Sequence, residues 1–335
     1  MASASALPII ARKLVAPGKG ILAADESIGT CGKRFQKYGI PETPEMRRKW
    51  RGLLFSTPGI EKGLSGVILF DETIRQETSE GEPFAEYLEG RGVLPGIKVD
   101  QKTEPLAGSP EEELTKGLEG LPERLREYVG FGAKFTKWRA VIRIKENLPT
   151  DACIEENARR MAAYAKESQR AGLVPVVEPE VLLDGVHTLV RSEEVIGKTL
   201  RAVFREVKRE GCDLSGLILK SSMALPGKDS GATASPGEIA EATLRVLLSS
   251  VPKEVPGILF LSGGATPEEA TERLNEIVKK GNAINAPWPL TFSYSRALQD
   301  PVLAAWRGKD ENAPQAQAIF AERVAQTARV SEGRL

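Results

Sequence analysis

In the stretch SGLILKSSM, residues 215–223, Leu217, Ile218 and Leu219 run directly into Lys220, the residue least easily buried beside them. A lysine at the end of an apolar run is partly desolvated, which disfavours the ammonium form and leaves a fraction as nucleophilic amine. Such an amine adds to a ketone or aldehyde and gives an iminium, an electron sink for the neighbouring carbons. In VPVVEPE, Glu178 and Glu180 flank Pro179, so in a regular strand both carboxylates face one side. Two carboxylates at that spacing can move the protons that iminium formation and hydrolysis require. FTKWR adds Lys137 and Arg139, and GILAADES adds Asp25. A second lysine near the first lowers its pKa further. From the residues alone, Lys220 has another reading of equal weight, a structural lysine ion-paired with Glu180. Lys137 and Arg139 also have another reading, as ion pairs inside a barrel with Trp138 in the core.

Other chemistries fall away by count. The single histidine, His187, cannot supply the two or three that a catalytic zinc site takes, and no serine stands in G-x-S-x-G form. His187 follows an Asp-Gly turn and reads as a loop residue. Neither a metal nor a cofactor is expected. Cys31, Cys153 and Cys212 form no C-x-x-C pair and suit a reducing compartment. Lys plus Arg and Asp plus Glu both number 46, so the net charge of zero gives no reason to expect nucleic acid or a membrane surface as partner. No apolar run approaches the ~18 residues of a membrane span, and the opening stretch lacks the pattern of a signal peptide. Cytoplasm is the expected location.

The elements that would position these residues are legible as eight apolar runs: 20–27, 66–72, 96–100, 134–144, 173–180, 216–222, 257–264 and 290–296. Helical patterns alternate with them. SPGEIAEATLRVLL carries Ser235 as N-cap, Pro236 in the first turn and Glu238 closing a capping box. TPEEATERLNEIVKKG repeats this with Thr266, Pro267 and Glu269 and predicts a stop at Gly281; the helix opening at TDACIEEN is predicted to stop at Gly172. Eight alternations predict an α/β chain of one domain, residues 1–335, closed as a (β/α)8 TIM barrel; a doubly wound sheet is the alternative that periodicity leaves open. All strand C-termini of a barrel share one face. Asp25, then Asp71 with Glu72, then Lys98, Lys137, Arg139, Glu178, Glu180, Lys220, Ser262 and Arg296 all stand at or near run ends. LSGGATPEE, with Ser262, Gly263 and Gly264 before a capped helix, offers backbone N–H groups to a phosphate, and Arg296 would be a second ligand.

The runs GKGILAADES, GVILFDET, GIKVD, FTKWR, VPVVEPE, LILKSSM, FLSGG and TFSYSRALQ, in this order, closely resemble class I fructose-bisphosphate aldolase from about Pro17 to the last helix. The resemblance implies reversible, metal-free cleavage of fructose 1,6-bisphosphate in glycolysis and gluconeogenesis, by a homotetramer acting on sugar phosphates. It implies Lys220 as the Schiff-base lysine and Glu178 as the acid/base for carbinolamine dehydration. Glu180 would be the carboxylate bonded to the nucleophile, Asp25 the base for the 4-hydroxyl, and Lys137 the assisting lysine. Ser262, Gly263 and Arg296 match the pocket of the 1-phosphate, with Gly264 and Ser295 beside them as further candidate phosphate-binding residues. Ser27, Lys98 and Arg139, with Lys33 and Arg34, match the far end of the substrate. Several residues depart from the family's pattern: Ser221 and Ser222 follow Lys220 where Pro-Asn is frequent, Ser295 replaces a glycine, and Thr30 replaces a serine. The sequence stops at Leu335 without the terminal tyrosine of many members, its last tyrosine being Tyr294. The competing readings are a non-catalytic scaffold barrel, a histidine-dependent metal aldolase, and an aldolase preferring fructose 1-phosphate or sedoheptulose 1,7-bisphosphate.

Overall fold

The computed structural model describes residues 6–333. Arg334 and Leu335, on which the expectation about the tail falls, lie outside the described residues. Among the described residues ten strands form: β1 (Gly20–Ala24), β2 (Leu64–Leu69), β3 (Leu94–Lys98), β4 (Gln101–Leu106), β5 (Ser109–Lys116), β6 (Phe135–Ile142), β7 (Val174–Val181), β8 (Ile218–Ser221), β9 (Ile258–Phe260) and β10 (Leu290–Tyr294). Eight of them close a parallel barrel in the order β1-β10-β9-β8-β7-β6-β3-β2, and each coincides with one of the eight apolar runs. Strands β4 and β5 are an antiparallel hairpin inserted between β3 and β6. That hairpin is absent from the sequence reading, because its strands carry exposed charges and little apolar alternation.

Inside the barrel the side chains follow the two-residue period of a strand. Ile21, Ala23, Ile68, Phe135, Val174, Val176, Ile218 and Leu259 pack together as an apolar floor. The helix Leu7–Leu14 closes this floor from below with Leu7, Ala11 and Leu14. Phe135 fills the interior only because β3 carries Gly96, where an added Cβ would come within 2.2 Å of its ring. At the next inward position toward the strand C-termini six strands turn polar, with Asp25, Lys98, Lys137, Glu178, Lys220 and Ser293 lining one cavity, while after β9 the apolar Leu261 stands there. Outward-facing residues such as Trp138, stacked on Tyr164 at 5.3 Å, pack under the surrounding helices.

The capping boxes at Ser235/Glu238 and Thr266/Glu269 both form, and Gly172, with φ 81°, follows the helix Asp151–Arg170. The helix from Pro267 does not stop at Gly281; it continues to Ala283. Gly281 is buried there because a Cβ would come within 2.7 Å of Leu290, so close packing on β10 explains the glycine.

Candidate active site

Lys220, near the end of β8, is buried, and its Nζ lies 2.9 Å from Glu178 Oε1. The other oxygen of that carboxylate, Oε2, is 3.0 Å from Lys137 Nζ, an ion pair outside hydrogen-bond geometry. Lys137 in turn reaches Asp25 Oδ2 at 2.8 Å. Four charges, from β8, β7, β6 and the residue after β1, thus form one buried chain, Lys220–Glu178–Lys137–Asp25. Strand register explains the meeting: Val176 pairs with Ile218 and with Lys137 across the two neighbouring ladders, so one step on Glu178 stands between both lysines.

The charges reinforce one another. Burial alone would raise the pKa of Asp25, but the positive charges of Lys137 and Lys220 outweigh it and hold the carboxyl at about 2. Glu178 is likewise lowered by Lys137, Lys220 and Arg139 against the opposing effect of burial. Burial would lower Lys137, yet Asp25 and Glu178 raise it, so it stays an ammonium. A stability consequence follows for Asp25, whose pKa falls from 3.8 unfolded to about 2 folded. The ionised carboxyl contributes about 2 kcal/mol that is present above pH ~4 and lost as pH falls toward 2. Urea unfolding of Asp25→Asn and the parent chain between pH 5 and 2 is expected to show their stability difference shrinking by that amount. A pH-independent difference would contradict the pairing.

At three places the side chains pair differently from what the sequence predicts. Glu178, not Glu180, is the carboxylate bonded to Lys220. Glu180 lies two residues nearer the mouth and pairs with Arg139, so the alternative Lys220–Glu180 ion pair does not form. Asp71 and Glu72 leave the ring: they belong to the short helix Asp71–Ile74, where Asp71 accepts from Arg75 and Tyr128, and Glu72 holds Arg47. Arg34 is no free anion ligand, since its guanidinium donates to Glu26, to Gln299 and, at 2.8 Å, to Asp300.

The remaining candidates line one mouth of about 730 Å³: Ser27, Lys33, Arg34, Lys98, Arg139, Ser262, Gly263, Ser295 and Arg296 join the buried chain of four. Ser27 caps the helix Ile28–Gln36 through Thr30 N–H at 3.3 Å. Lys98 is held by Asp100 at 2.6 Å. Gly263 and Gly264, with φ 59° and 86°, form the turn before the helix from Pro267, and the Arg296 guanidinium lies over it, 3.0 Å from where a Gly264 Cβ would stand. Gly264 itself faces an adjoining hollow of about 770 Å³ that shares Arg139, Glu180, Gly263 and Arg296 with the mouth. The Ser295 hydroxyl donates to Glu26 at 2.7 Å, so it ties the end of β10 to the loop after β1.

Three residues escaped the sequence reading. Asp100 holds both Lys98 and, at 3.1 Å, the Arg139 backbone N–H. Glu26 gathers Arg34, Arg51 and Ser295. Ser293 presents a buried hydroxyl without a partner to the mouth. Each sits an even step from, or beside, a residue already singled out, so the two-residue period was the signal that could have found Asp100 and Ser293.

A family profile described as class-I fructose-bisphosphate aldolase matches residues 6–335. The chain belongs to the class I fructose-bisphosphate aldolase family. It is 50% identical over 314 residues to a probable class 1 fructose-bisphosphate aldolase of Xanthomonas campestris pv. campestris, with 93% of each chain covered. It is 48% identical over 308 residues to the cytosolic fructose-bisphosphate aldolase 4 of Arabidopsis thaliana, with 92% of this chain and 78% of the relative covered. A solved fructose-bisphosphate aldolase from Plasmodium falciparum, in complex with TRAP and a small-molecule inhibitor, superposes with a TM-score of 0.96 at 42% identity. That superposition covers 99% of this chain and 95% of the other. As a class I aldolase, the chain is a metal-independent carbon–carbon lyase, and the fold of the solved relative agrees with the closed eight-stranded barrel described above. No helix among the described residues is long and apolar enough to cross a membrane.

Proposed function

We propose that in this class I aldolase Lys220 is the nucleophile that forms the Schiff base with fructose 1,6-bisphosphate. The observation that carries the assignment is the buried chain Lys220–Glu178–Lys137–Asp25 at the floor of the mouth. Lys220 Nζ passes one proton to Glu178 Oε1, 2.9 Å away, adds to the ketone carbon as the free amine, and gives a second proton to the new alkoxide to make the carbinolamine. The same carboxyl returns a proton to the carbinolamine oxygen, which leaves as water and yields the iminium. Asp25, held ionised, accepts the 4-hydroxyl proton; the C3–C4 bond breaks and its electron pair moves into the iminium as an enamine. Glyceraldehyde 3-phosphate departs, the proton held by Asp25 is returned to C3, and addition of water to the iminium frees dihydroxyacetone phosphate and Lys220. Lys137 keeps both carboxylates ionised and close.

Arg296, with the turn Ser262–Gly263–Gly264, takes the 1-phosphate, and Ser27, Lys33 and Lys98 face the other phosphate. Arg139 orients Glu180. Residues 1–335 act as one barrel domain. The cytosolic plant relatives support a cytoplasmic, glycolytic and gluconeogenic role, and the family resemblance supports a homotetramer. The test is borohydride reduction with dihydroxyacetone phosphate in EDTA, followed by peptide mass spectrometry. The expected adduct lies on the Lys220 peptide; an adduct elsewhere would overturn the assignment of the nucleophile, and none on a folded chain would overturn the Schiff base.

A further inference from the structure

Five of the nine cations lining the mouth are tied to carboxylates. Lys220 and Lys137 hold Glu178, Arg139 holds Glu180, Lys98 holds Asp100, and Arg34 holds Glu26 and Asp300. A cation so paired attracts a phosphate weakly, because its field is largely cancelled nearby. Among the described residues, the lining cations without a hydrogen bond or ion pair are Arg296, Lys33, Lys37 and Lys102. Arg296 stands at the β9–β10 side, over the glycine turn. Lys33 and Lys37 lie four residues apart at the end of the helix after β1, and Lys102 begins the hairpin after β3. In the barrel order β2 alone separates those two strands. Lys37 and Lys102 are exposed, line the same cavity, and have no part in the chemistry described above.

We infer that Lys37 and Lys102 are specificity-determining residues that draw the second phosphate of a bisphosphate substrate into the mouth and select it over a monophosphate. The inference rests on the aldolase reading of the site and deepens it. With a formal net charge of zero, the chain as a whole offers no long-range pull on an anion. Attraction must therefore come from local unpaired charge, and these two lysines supply it on the side of the mouth away from Arg296. The C-terminal dipole of the helix Ile28–Gln36 also favours Lys37, but it cannot account for Lys102, which stands on a strand.

The test compares Lys37→Gln, Lys102→Gln and the double variant, with Lys253→Gln, exposed beyond the helix Pro236–Ser250, as a charge control. At low ionic strength, kcat/KM for fructose 1,6-bisphosphate is expected to fall about fivefold for each mouth lysine, the size of one exposed charge contact. The loss shrinks toward twofold or less at about 0.5 M salt. kcat and the values for fructose 1-phosphate stay within about twofold, and Lys253→Gln changes nothing. Equal losses on both sugars, no loss on either, or an equal effect of Lys253→Gln would overturn the inference. Titration calorimetry with hexane-1,6-diyl bisphosphate against hexyl phosphate reads the same preference without turnover. A failure of the cleavage chemistry therefore remains distinguishable from a failure of the lysine assignment.

Discussion

Lys220→Met is expected to abolish the borohydride-trapped adduct and to lower turnover on the order of 10⁵-fold or more, because no other group supplies the covalent electron sink. The stability change should be modest. Methionine has nearly the volume of the lysine stem, and Glu178 keeps Lys137 at 3.0 Å, so no buried carboxylate is left without a cation. The measurements are single-turnover cleavage and urea unfolding on the same preparation. Turnover within tenfold of the parent would sink the nucleophile assignment.

Lys137→Met should show the opposite balance, with severe loss of stability as well as activity. Lys137 bridges two carboxylates, Asp25 at 2.8 Å and Glu178 at 3.0 Å, and all three side chains are nearly inaccessible to solvent. Removing it takes from Asp25 its ion-pair partner and from Glu178 one of two, inside a buried cluster, a loss of about 3–5 kcal/mol at neutral pH. The sign with pH is fixed by the pairing. The folded pKa of Lys137 is raised, so its contribution is complete below the unfolded value of 10.5 and disappears only on passing the folded value above that. In the variant, the carboxyls lose the charge that lowered them, and protonation relieves their burial. The deficit should therefore narrow as pH drops from 7.5 toward 5. A deficit under about 1 kcal/mol at pH 7.5, or one that widens on acidification, would show that Lys137 does not carry the cluster.

Much of this site was legible because strand and chemistry share a period of two. Ile218 before Lys220, Val176 before Glu178 and Phe135 before Lys137 each announce an inward face that turns from apolar to polar near its open end. Which charge meets which was not legible. Glu178 and Glu180 look alike in sequence, and only the stagger of neighbouring strands places one between two lysines and the other against Arg139. Asp71 and Glu72 misled for a related reason: a run end predicts position along a strand, whereas the short helix that begins there turns both outward. Gly281 misled because glycine signals a helix end and a tight packing contact with the same letter.

The helix Leu7–Leu14 that shuts the lower end of the barrel has a consequence for water. Because that end is sealed by Leu7, Ala11 and Leu14, solvent reaches Lys220 by the same opening as the sugar. A bound phosphate ester then acts as a stopper. While it stays, the water that hydrolyses the iminium has to wait for the departing aldehyde to vacate the doorway, and release of the second product becomes a matter of traffic through a single passage.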